Sequence, residues 1–305
     1  MEIREKLIAI LKTTGWSQEE LARRLGISLK ALNAWVNGKT APREKNRLQI
    51  EAFYDDFVGR VEIDRETLEA TEKKALATKL SLDELLENPE LLKIATLYLT
   101  YHTNTIEGST MTLADVEKVL DDENVVIEDK TAREQIEARN HRAAFLYLLS
   151  ELKRQGKDFR WSGELIQAIH LRLMNGLIES AGRYRLFGVR IMGSPVPLAN
   201  YPSIPNRISI LVRYMNSPCE NPIERLADTH AAFEQIHPFG DGNGRTGRLI
   251  MFAQAIQYGL VPPLIEKERK RVYYKYLEIA QTRERDHLLR LFIAESILQT
   301  AKLLR

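Results

Sequence analysis

The sequence of 305 residues is poor in features typical of secreted or membrane proteins. Its one cysteine, Cys219, excludes an intramolecular disulfide and a zinc cluster built from thiolates. No stretch approaches the roughly 18 to 20 consecutive apolar residues that a membrane-spanning helix requires. Residues 1–6 are charged and lack the apolar run of a secretion signal. We therefore expect a cytoplasmic protein with no membrane partner.

Strand-like alternation of apolar and polar residues is also nearly absent. Apolar residues recur instead three and four positions apart, which predicts an all-α, mainly helical fold. We expect a small bundle over 1–58, an acidic helical connector over 59–98 and a larger helical domain over 99–305. Only 190–202 departs from this pattern, because its glycine and prolines forbid a helix and predict a loop or short β-hairpin.

The net charge of +2 is unevenly distributed. Residues 1–50 contain ten Lys or Arg and five Asp or Glu, whereas residues 51–100 contain six and twelve. A basic segment attracts phosphates, so this imbalance is consistent with nucleic-acid binding. It also fits an ordinary solvated surface, and charge alone leaves both interpretations open.

The N-terminal segment is punctuated as two short helices. Ser17 and Glu20 have the spacing of an N-terminal capping box, and Gly26 ends that helix. Ser28 caps a second helix, predicted over 29–36 and stopped by the Asn-Gly pair that follows. Two short helices joined by a tight turn with glycine are typical of a helix-turn-helix, whose second helix enters the DNA major groove.

This segment, with Trp-Val-Asn-Gly-Lys at 35–39, resembles the lambda-repressor-like (Xre) DNA-binding family. The resemblance implies binding to double-stranded DNA. It directs three side chains toward bases and two toward phosphates: Ser28, Lys30 and Asn33, and Gln18 and Lys39. The apolar residues of the segment form the core of a small bundle under either interpretation.

The most informative segment is His-Pro-Phe-Gly-Asp-Gly-Asn-Gly-Arg-Thr-Gly-Arg over 237–248. Helical spacing predicts one helix ending at His237 and a second, apolar helix after the segment. Glycines let backbone N–H groups converge on an anion, and the following helix adds its dipole. Arg245 and Arg248 oppose that dipole unless an anion faces them. The pKa of a histidine side chain lies near neutrality, so His237 is a candidate base. Asp241 offers a hard carboxylate oxygen of the kind that binds Mg²⁺.

Three other interpretations fit this segment less well. Glycines at 242, 244 and 247 match the dinucleotide-binding pattern Gly-x-Gly-x-x-Gly, but that pattern follows a strand in a βαβ unit, whereas a helix precedes it here. A Walker A loop needs Gly-Lys followed by Ser or Thr, and Gly247-Arg248-Leu249 fails this test. An ordinary corner between helices, with His237 buried, leaves the density of glycines and arginines unexplained.

The segment resembles the Fic family motif, HPFx(D/E)GNGRxxR, at every fixed position. The resemblance implies a protein adenylyltransferase, which transfers AMP from Mg²⁺-bound ATP to a Tyr, Ser or Thr hydroxyl of a target protein or of itself. It makes His237 the catalytic base and Asp241 the Mg²⁺ ligand. It assigns nucleotide binding to Gly242, Asn243, Gly244, Arg245, Gly247 and Arg248.

Other segments resemble further parts of this family. The loop over 190–202 is similar to the hairpin flap that docks the target chain, here with Ile191, Met192 and Gly193. Gly-Arg-Tyr-Arg over 182–185 also fits the family. The segment from position 271 is similar to the helix beside the adenine, which implies Tyr273 and Gln281 as pocket residues. Packing of its aromatic ring in the hydrophobic core explains Tyr273 equally well.

Upstream, Gly108 is a helix stop, and Thr112 with Asp115 forms the capping box of the next helix. Glu107 therefore lies in a last helical turn, where the dipole disfavours a carboxylate, so we expect a cationic partner. A solvent-exposed glutamate is the alternative.

The run Thr-Asn-Thr-Ile-Glu-Gly over 103–108 resembles the Fic inhibitory motif, (S/T)xxxE(G/N). This implies an inhibitory helix at about 99–108 ahead of a catalytic core at about 130–305. Glu107 would pair with Arg248 and occupy the position that the γ-phosphate of ATP needs. In some family members the same glutamate instead orients a water for removal of AMP.

Three functions therefore remain open at the level of the sequence. The first is an autoinhibited, DNA-binding adenylyltransferase, and the second is a de-AMPylating hydrolase that uses Glu107. The third is a transcription regulator whose Fic domain only senses nucleotide, although intact His237 and Asp241 argue against it. Analogy with both families also implies a homo-oligomer.

Overall fold

The computed structural model describes residues 1–60, 62–122, 124–283 and 286–304. Within these residues the structure is built of helices and loops, so the predicted all-α class is confirmed. The described chain contains no β-sheet, and its strand-like pairing is an isolated antiparallel bridge between Lys79 and Leu260. None of its described helices is both long and apolar enough to cross a membrane.

In chain order the α-helices are α1 (Ile3–Thr14), α2 (Gln18–Arg24), α3 (Leu29–Val36), α4 (Glu44–Phe57), α5 (Arg65–Leu76), α6 (Leu82–Glu87), α7 (Pro89–Ile106), α8 (Leu113–Asp121), α9 (Ala132–Gln155), α10 (Gly163–Leu173), α11 (Ile204–Asn216), α12 (Pro222–Ile236), α13 (Asn243–Gln257), α14 (Lys270–Arg283) and α15 (His287–Leu303). Single-turn 3-10 helices lie at Gly156–Asp158, Tyr201–Ser203 and Lys267–Arg269.

The chain divides into two compact units: Met1–Ile63 with Glu268–Tyr276, and Asp64–Lys267 with Leu277–Arg305. The first unit holds α1 to α4, the second holds α5 to α13 and α15, and α14 has residues in both. Of the predicted connector, 59–98, the residues from position 64 onward fall in the second unit, where α5 packs against α15.

In the first unit, α2 and α3 form where the sequence predicts them. The hydroxyl of Ser17 accepts the backbone N–H of Glu20 at 3.1 Å, and that of Ser28 accepts the N–H of Ala31 at 3.2 Å. Gly26 lies between the helices at φ +63°, a left-handed conformation that costs glycine little. The helices enclose a core of Leu7, Ile10, Leu21, Ala22, Leu25, Leu32, Trp35 and Ile50.

In the second unit, α13 is the central helix. All of its residues except Gly244 and Gln257 are buried, including the arginines of its first turn, Arg245 and Arg248. It packs against α7, α9, α10 and α12. Its first turn therefore lies among the end of α7, the start of α9 and the end of α12.

The hairpin expected over 190–202 is wrong, because the segment forms turns and extended chain without strand pairing. A turn at Gly193, φ +80°, has the Ser194 N–H donating to the Ile191 carbonyl at 3.2 Å. Prolines at 195, 197 and 202 lack the N–H donors that a strand ladder requires, which explains the irregular chain.

Candidate active site

His237 ends α12 in a strained backbone conformation. Its φ of +48° is left-handed, and no other non-glycine residue of the described chain has a positive φ. The His237 N–H still donates to the Phe233 carbonyl at 2.9 Å, so the chain leaves the helix at this residue. Nδ1 of the imidazole lies 3.3 Å from the Glu234 carbonyl oxygen. Because a carbonyl only accepts, this contact assigns the proton to Nδ1 and leaves Nε2 as the basic atom.

Burial lowers the pKa of His237 below its ordinary value, and the hydrogen bond to the Glu234 carbonyl opposes this shift. The imidazole is therefore neutral at pH 7 and able to accept a proton. Its side chain is 20% exposed, which leaves the ring accessible to a reactant.

The turn between α12 and α13 is closed by its own side chains. Oδ1 of Asn243 accepts the Phe239 N–H, and its Nδ2 donates to the Phe239 carbonyl, both at 2.9 Å. Gly242, at φ +78°, is the N-cap of α13, and in the described structure no side chain caps this helix. Its first N–H groups and its dipole therefore face outward, as in anion-binding helix termini.

The first arginine of the turn is buried against carboxylates. Nη1 of Arg245 lies 3.1 Å from Oε1 of Glu137 on α9, and its Nη2 lies 3.4 Å from Oδ1 of Asp241. Arg133, also on α9, reaches Oδ2 of Asp241 at 3.2 Å. The Asp241 side chain is 49% exposed, whereas that of Arg245 is 4% exposed. Asp241 is thus the accessible carboxylate of this cluster.

The second arginine, Arg248, faces the end of α7. Its Nη2 lies 2.5 Å from Oε1 of Glu107, and its guanidinium also donates to the hydroxyl and carbonyl oxygens of Thr103. Glu107 is the C-cap of α7, directly before Gly108 at φ +109°. A Cβ on Gly244 would lie 2.5 Å from the same Glu107 oxygen, so a larger residue there would displace the end of the glutamate side chain.

Sequence comparisons agree with this geometry. Residues 161–255 match the Fic/DOC family and residues 7–55 match a helix-turn-helix family. The chain carries a Fic domain. Protein adenylyltransferase Fic of Culex quinquefasciatus is 31% identical over 228 residues, covering 72% of this chain and 43% of that protein. Protein adenylyltransferase fic-1 of Caenorhabditis elegans is 30% identical over 184 residues, covering 59% and 35%. The chain thus spans less than half the length of these relatives.

Solved structures show the same fold. Fic-1 of C. elegans has a TM-score of 0.66 and 23% identity, covering 93% of this chain and 83% of that one. A Fic family protein from Desulfovibrio desulfuricans has a TM-score of 0.63 and 24% identity, covering 79% and 74%. At these identities the similarity shows the fold alone.

A buried arginine ties the Fic domain's loops together. Arg185, only 2% exposed, donates to four backbone carbonyls. They belong to His237 at 2.8 Å, Phe187 at 2.6 Å, Ala199 at 2.6 Å and Ile236 at 3.4 Å. The run at 182–185 resembles the family, but the sequence assigns no role to this residue. Its signal was a second arginine two positions after the first, too weak to indicate a contact with His237.

His170 braces the other side of the loop. Its ring stacks on Phe239 with centroids 3.6 Å apart, and its Nε2 lies 2.9 Å from the Asp241 carbonyl oxygen. The Gly182 N–H donates to Nδ1 at 2.9 Å, so the ring is neutral with its proton on Nε2. Burial lowers the pKa of His170 to about 4, which keeps this arrangement at physiological pH. Sequence reasoning missed His170, Arg133 and Glu137, because their contacts join positions far apart in the chain.

The remaining predicted residues lie in several places. Ile191 and Met192 are 40% and 95% exposed on the loop that replaces the hairpin. Gln281 donates from Nε2 to the Ala231 carbonyl at 3.0 Å. Tyr273 is 1% exposed, and its ring lies 4.9 Å from that of Tyr274, which is exposed. The adenine-pocket assignment stays a prediction.

In the helix-turn-helix domain, Gln18 begins α2, Ser28 is the N-cap of α3, and Lys30 and Asn33 lie on α3. Lys39 follows the end of α3. Lys30, Asn33 and Lys39 are exposed. The Asn33 side chain donates to Oε1 of Gln18 at 3.3 Å, which joins the start of α2 to the middle of α3. The polar face is thus separate from the apolar core below it.

Proposed function

We propose that the protein is an adenylyltransferase that transfers AMP from ATP to a Tyr, Ser or Thr hydroxyl of a target protein or of itself. The proposal is carried by one observation: a neutral, accessible imidazole directly precedes an uncapped helix N-terminus that holds two buried arginines. Nucleotidyl transfer requires two parts, a proton acceptor and an anion-binding site for the phosphates. The adenylyltransferase relatives support the same chemistry.

In the proposed reaction, Nε2 of His237 takes the proton of the target hydroxyl. The hydroxyl oxygen bonds to the α-phosphorus as the bond from that phosphorus to the bridging oxygen breaks, and pyrophosphate leaves with the electron pair. The N–H groups of Asn243 and Gly244 stabilise the negative charge that develops on the α-phosphate. The Gly242 N–H donates to Oδ1 of Asp241 at 2.6 Å and joins them once that contact is released. Arg245 and Arg248 are assigned to the distal phosphates, which bidentate guanidinium groups bind well.

The site fits magnesium with one protein ligand. Within the described residues no cluster of three or more His, Cys, Asp or Glu could hold a metal ion. Mg²⁺ bound with nucleotides commonly uses one or two carboxylates together with phosphate oxygens and waters, and the exposed Asp241 meets that need. When bound there, the ion would neutralise phosphate charge. Arg133 and Arg245 pair with the two oxygens of Asp241, so binding of the ion would require Asp241 to exchange at least one of these contacts.

The ion pair of Glu107 with Arg248 supports an autoinhibited state. A carboxylate on Arg248 takes the place that a γ-phosphate oxygen would need, so productive ATP binding requires Glu107 to move. The same contact keeps a second function open, in which Glu107 orients a water that removes AMP from a modified target.

The decisive experiment incubates the protein with radiolabelled ATP and Mg²⁺ and follows label on protein by autoradiography and mass spectrometry. We expect AMP on a Tyr, Ser or Thr side chain, and no transfer by His237→Ala. Absence of labelling by both the parent and a Glu107→Gly variant would contradict adenylyl transfer. Loss of AMP from a premodified protein would then identify the hydrolase.

We further propose that the exposed loop with Ile191, Met192 and Gly193 docks the target chain. Its exposed side chains and its connection through the Ala199 N–H to the Gln235 carbonyl, at 3.1 Å, place it next to α12. Met192→Asp should weaken transfer to a protein target, raising KM more than it lowers kcat. Equal KM values for both proteins would contradict this role.

Double-stranded DNA is the proposed partner of the helix-turn-helix domain. The support is the exposed polar face with Lys30, Asn33 and Lys39. In fluorescence anisotropy, affinity for duplex DNA should fall steeply between low and moderate salt. Lys39→Ala should reduce the slope of log affinity against log salt by about 1. Lys12→Ala, an exposed lysine on α1, serves as the control and should leave the slope unchanged.

A further inference from the structure

A buried carboxyl group lies behind the imidazole of His237. Glu234, one turn earlier on α12, is 6% exposed, and its Oε2 lies 4.0 Å from Nδ1 of His237. Its Oε1 makes no hydrogen bond within the described structure. A Cβ on Gly247 would lie 2.6 Å from that oxygen, so the carboxyl is pressed against the backbone of α13. A buried carboxyl with an unsatisfied oxygen carries a free-energy cost that an apolar side chain would avoid.

The charges around Glu234 come from three helices. Burial raises the pKa of Glu234 to about 8, with Arg248 on α13 opposing the shift and Glu107 at the end of α7 adding to it. His230, one turn earlier on α12, is neutral, because burial lowers its pKa to about 3. Arg185 and Asp241 act on the His237 side of the pair.

The other helices packed on α12 direct their polar groups elsewhere. From α5, α11 and α15, the groups Glu72, Tyr214 and Arg290 engage Asn221, Asp228 and Glu224 at the start and middle of α12. The ionisation of Glu234 therefore depends on charges of the candidate active site. One of these charges is lost when Glu107 moves away.

We propose that Glu234 is a positioning residue for His237: its carboxyl lies behind the Nδ1 side of the imidazole, at 4.0 Å, and its ionised form strengthens Nε2 as a base. The arrangement has the logic of a carboxylate that orients and stabilises a catalytic imidazole, at longer range. Departure of Glu107 removes a negative charge that disfavours ionisation of Glu234. Release of the inhibitory glutamate is thus linked to the strength of the base. The inference rests on the proposed role of His237 in AMP transfer.

A titration of His237 by NMR tests the coupling without any activity. The ring signals, assigned by their loss in His237→Ala, should shift once below pH 6.5 and again near pH 8, where Glu234 ionises. Glu234→Gln should abolish the second shift. The matched control is Asp228→Asn, which changes a partly buried carboxyl of the same helix that bonds Tyr214, and it should keep both shifts.

A second shift that persists in Glu234→Gln, or that is missing in the parent, would overturn the inference. If Glu234→Gln does not fold, Glu107→Gly provides an independent measurement on an intact Glu234. It should move the second shift to lower pH, since a nearby negative charge is lost. If the second shift occurs at the same pH in Glu107→Gly as in the parent, Glu107 does not affect the ionisation of Glu234.

Kinetics then separate this inference from the proposed function. In the Glu107→Gly background, kcat for AMP transfer should rise about three- to tenfold across the pH range of the second shift measured in that variant, and Glu234→Gln should remove that rise with little change in KM. Glu234→Asp should restore part of it. An active enzyme whose pH profile is the same with Gln at 234 contradicts the role of Glu234 alone. Absence of transfer activity would contradict the proposed function. The NMR titration would then still test the coupling between Glu234 and His237.

Discussion

Oε1 of Glu107 and Nη2 of Arg248 lie 2.5 Å apart, although 141 positions separate the two residues in the chain. The Arg248 side chain is 3% exposed and that of Glu107 is 32% exposed, so the glutamate is the partner able to leave. Because a buried guanidinium without a counter-charge is costly, an anionic phosphate is a natural replacement for the carboxylate. Nucleotide binding and the Glu107 contact are therefore expected to compete.

Replacing Glu107 with Gly should raise the rate of AMP transfer by about tenfold or more, since loss of a competing contact of about 1.4 kcal/mol corresponds to a tenfold change. Glu107→Gln, which keeps the shape but not the charge, should give an intermediate rate. Radiolabelled-ATP assays measure both. Glu117→Gly, at a half-exposed glutamate on α8 that pairs with Lys93, is the control. A Glu107→Gly protein no faster than this control would exclude inhibition by Glu107.

The glycine at 247 is required by packing rather than by backbone conformation. A Cβ there would lie 2.6 Å from Oε1 of Glu234 and 3.1 Å from Cδ1 of Phe233. Gly247→Ala should therefore lower the free energy of unfolding by about 1 to 3 kcal/mol, as overpacked cores do. Gly188→Ala is the matched control, because a Cβ at that position meets no heavy atom within 4 Å. Urea unfolding of both variants measures the difference, and equal midpoints would contradict the packing argument.

Local features of the molecule could be predicted because they depend on neighbours in sequence. The caps at Ser17 and Ser28, the capping box of Thr112 and Asp115, and the helix at 29–36 all follow from patterns of a few residues. The expected cationic partner of Glu107 follows from a dipole argument of the same short range, and the structure has Arg248 there.

Long-range contacts could not be predicted in the same way. The ion pairs that α9 makes with Asp241 and Arg245 join positions more than 100 residues apart, and no local pattern signals them. The hairpin expected over 190–202 failed for a related reason. Family resemblance supplied a strand pairing that this proline-rich segment, anchored by the carbonyl contacts of Arg185, does not form.

Arg185 should be essential for the shape of the loop that carries His237. Lysine at 185 keeps the positive charge but has one donor group instead of a planar fork, so several of the four carbonyl contacts would be lost. Arg185→Lys should lower the free energy of unfolding by about 2 to 4 kcal/mol and reduce AMP transfer. Arg183→Lys, an exposed neighbour that donates to the Glu179 carbonyl, should do neither. Thermal unfolding and transfer assays on the two variants decide the matter; matching behaviour would remove Arg185 from this role.

Acid should destabilise the Fic domain from pH 6.5 downward. Burial lowers the pKa of His102, His141, His170 and His230 to about 4, 3, 4 and 3, against an ordinary value of 6.5. Between these values the unfolded chain binds more protons than the folded one. The free energy of unfolding therefore falls on acidification, by about 1.4 kcal/mol per pH unit for each histidine once the pH is well below 6.5.

Glu234 acts in the opposite direction over part of this range. Its pKa of about 8 means that the folded state keeps a proton that the unfolded chain loses above its ordinary value of 4.5. One carboxyl against four histidines reduces the slope but does not reverse it. Urea unfolding at pH 7, 6 and 5 should show a steady loss of stability, and His141→Gln should make that loss shallower by removing one of the four groups. Parallel pH dependences for the parent and His141→Gln would show that this buried ring is not held neutral by folding.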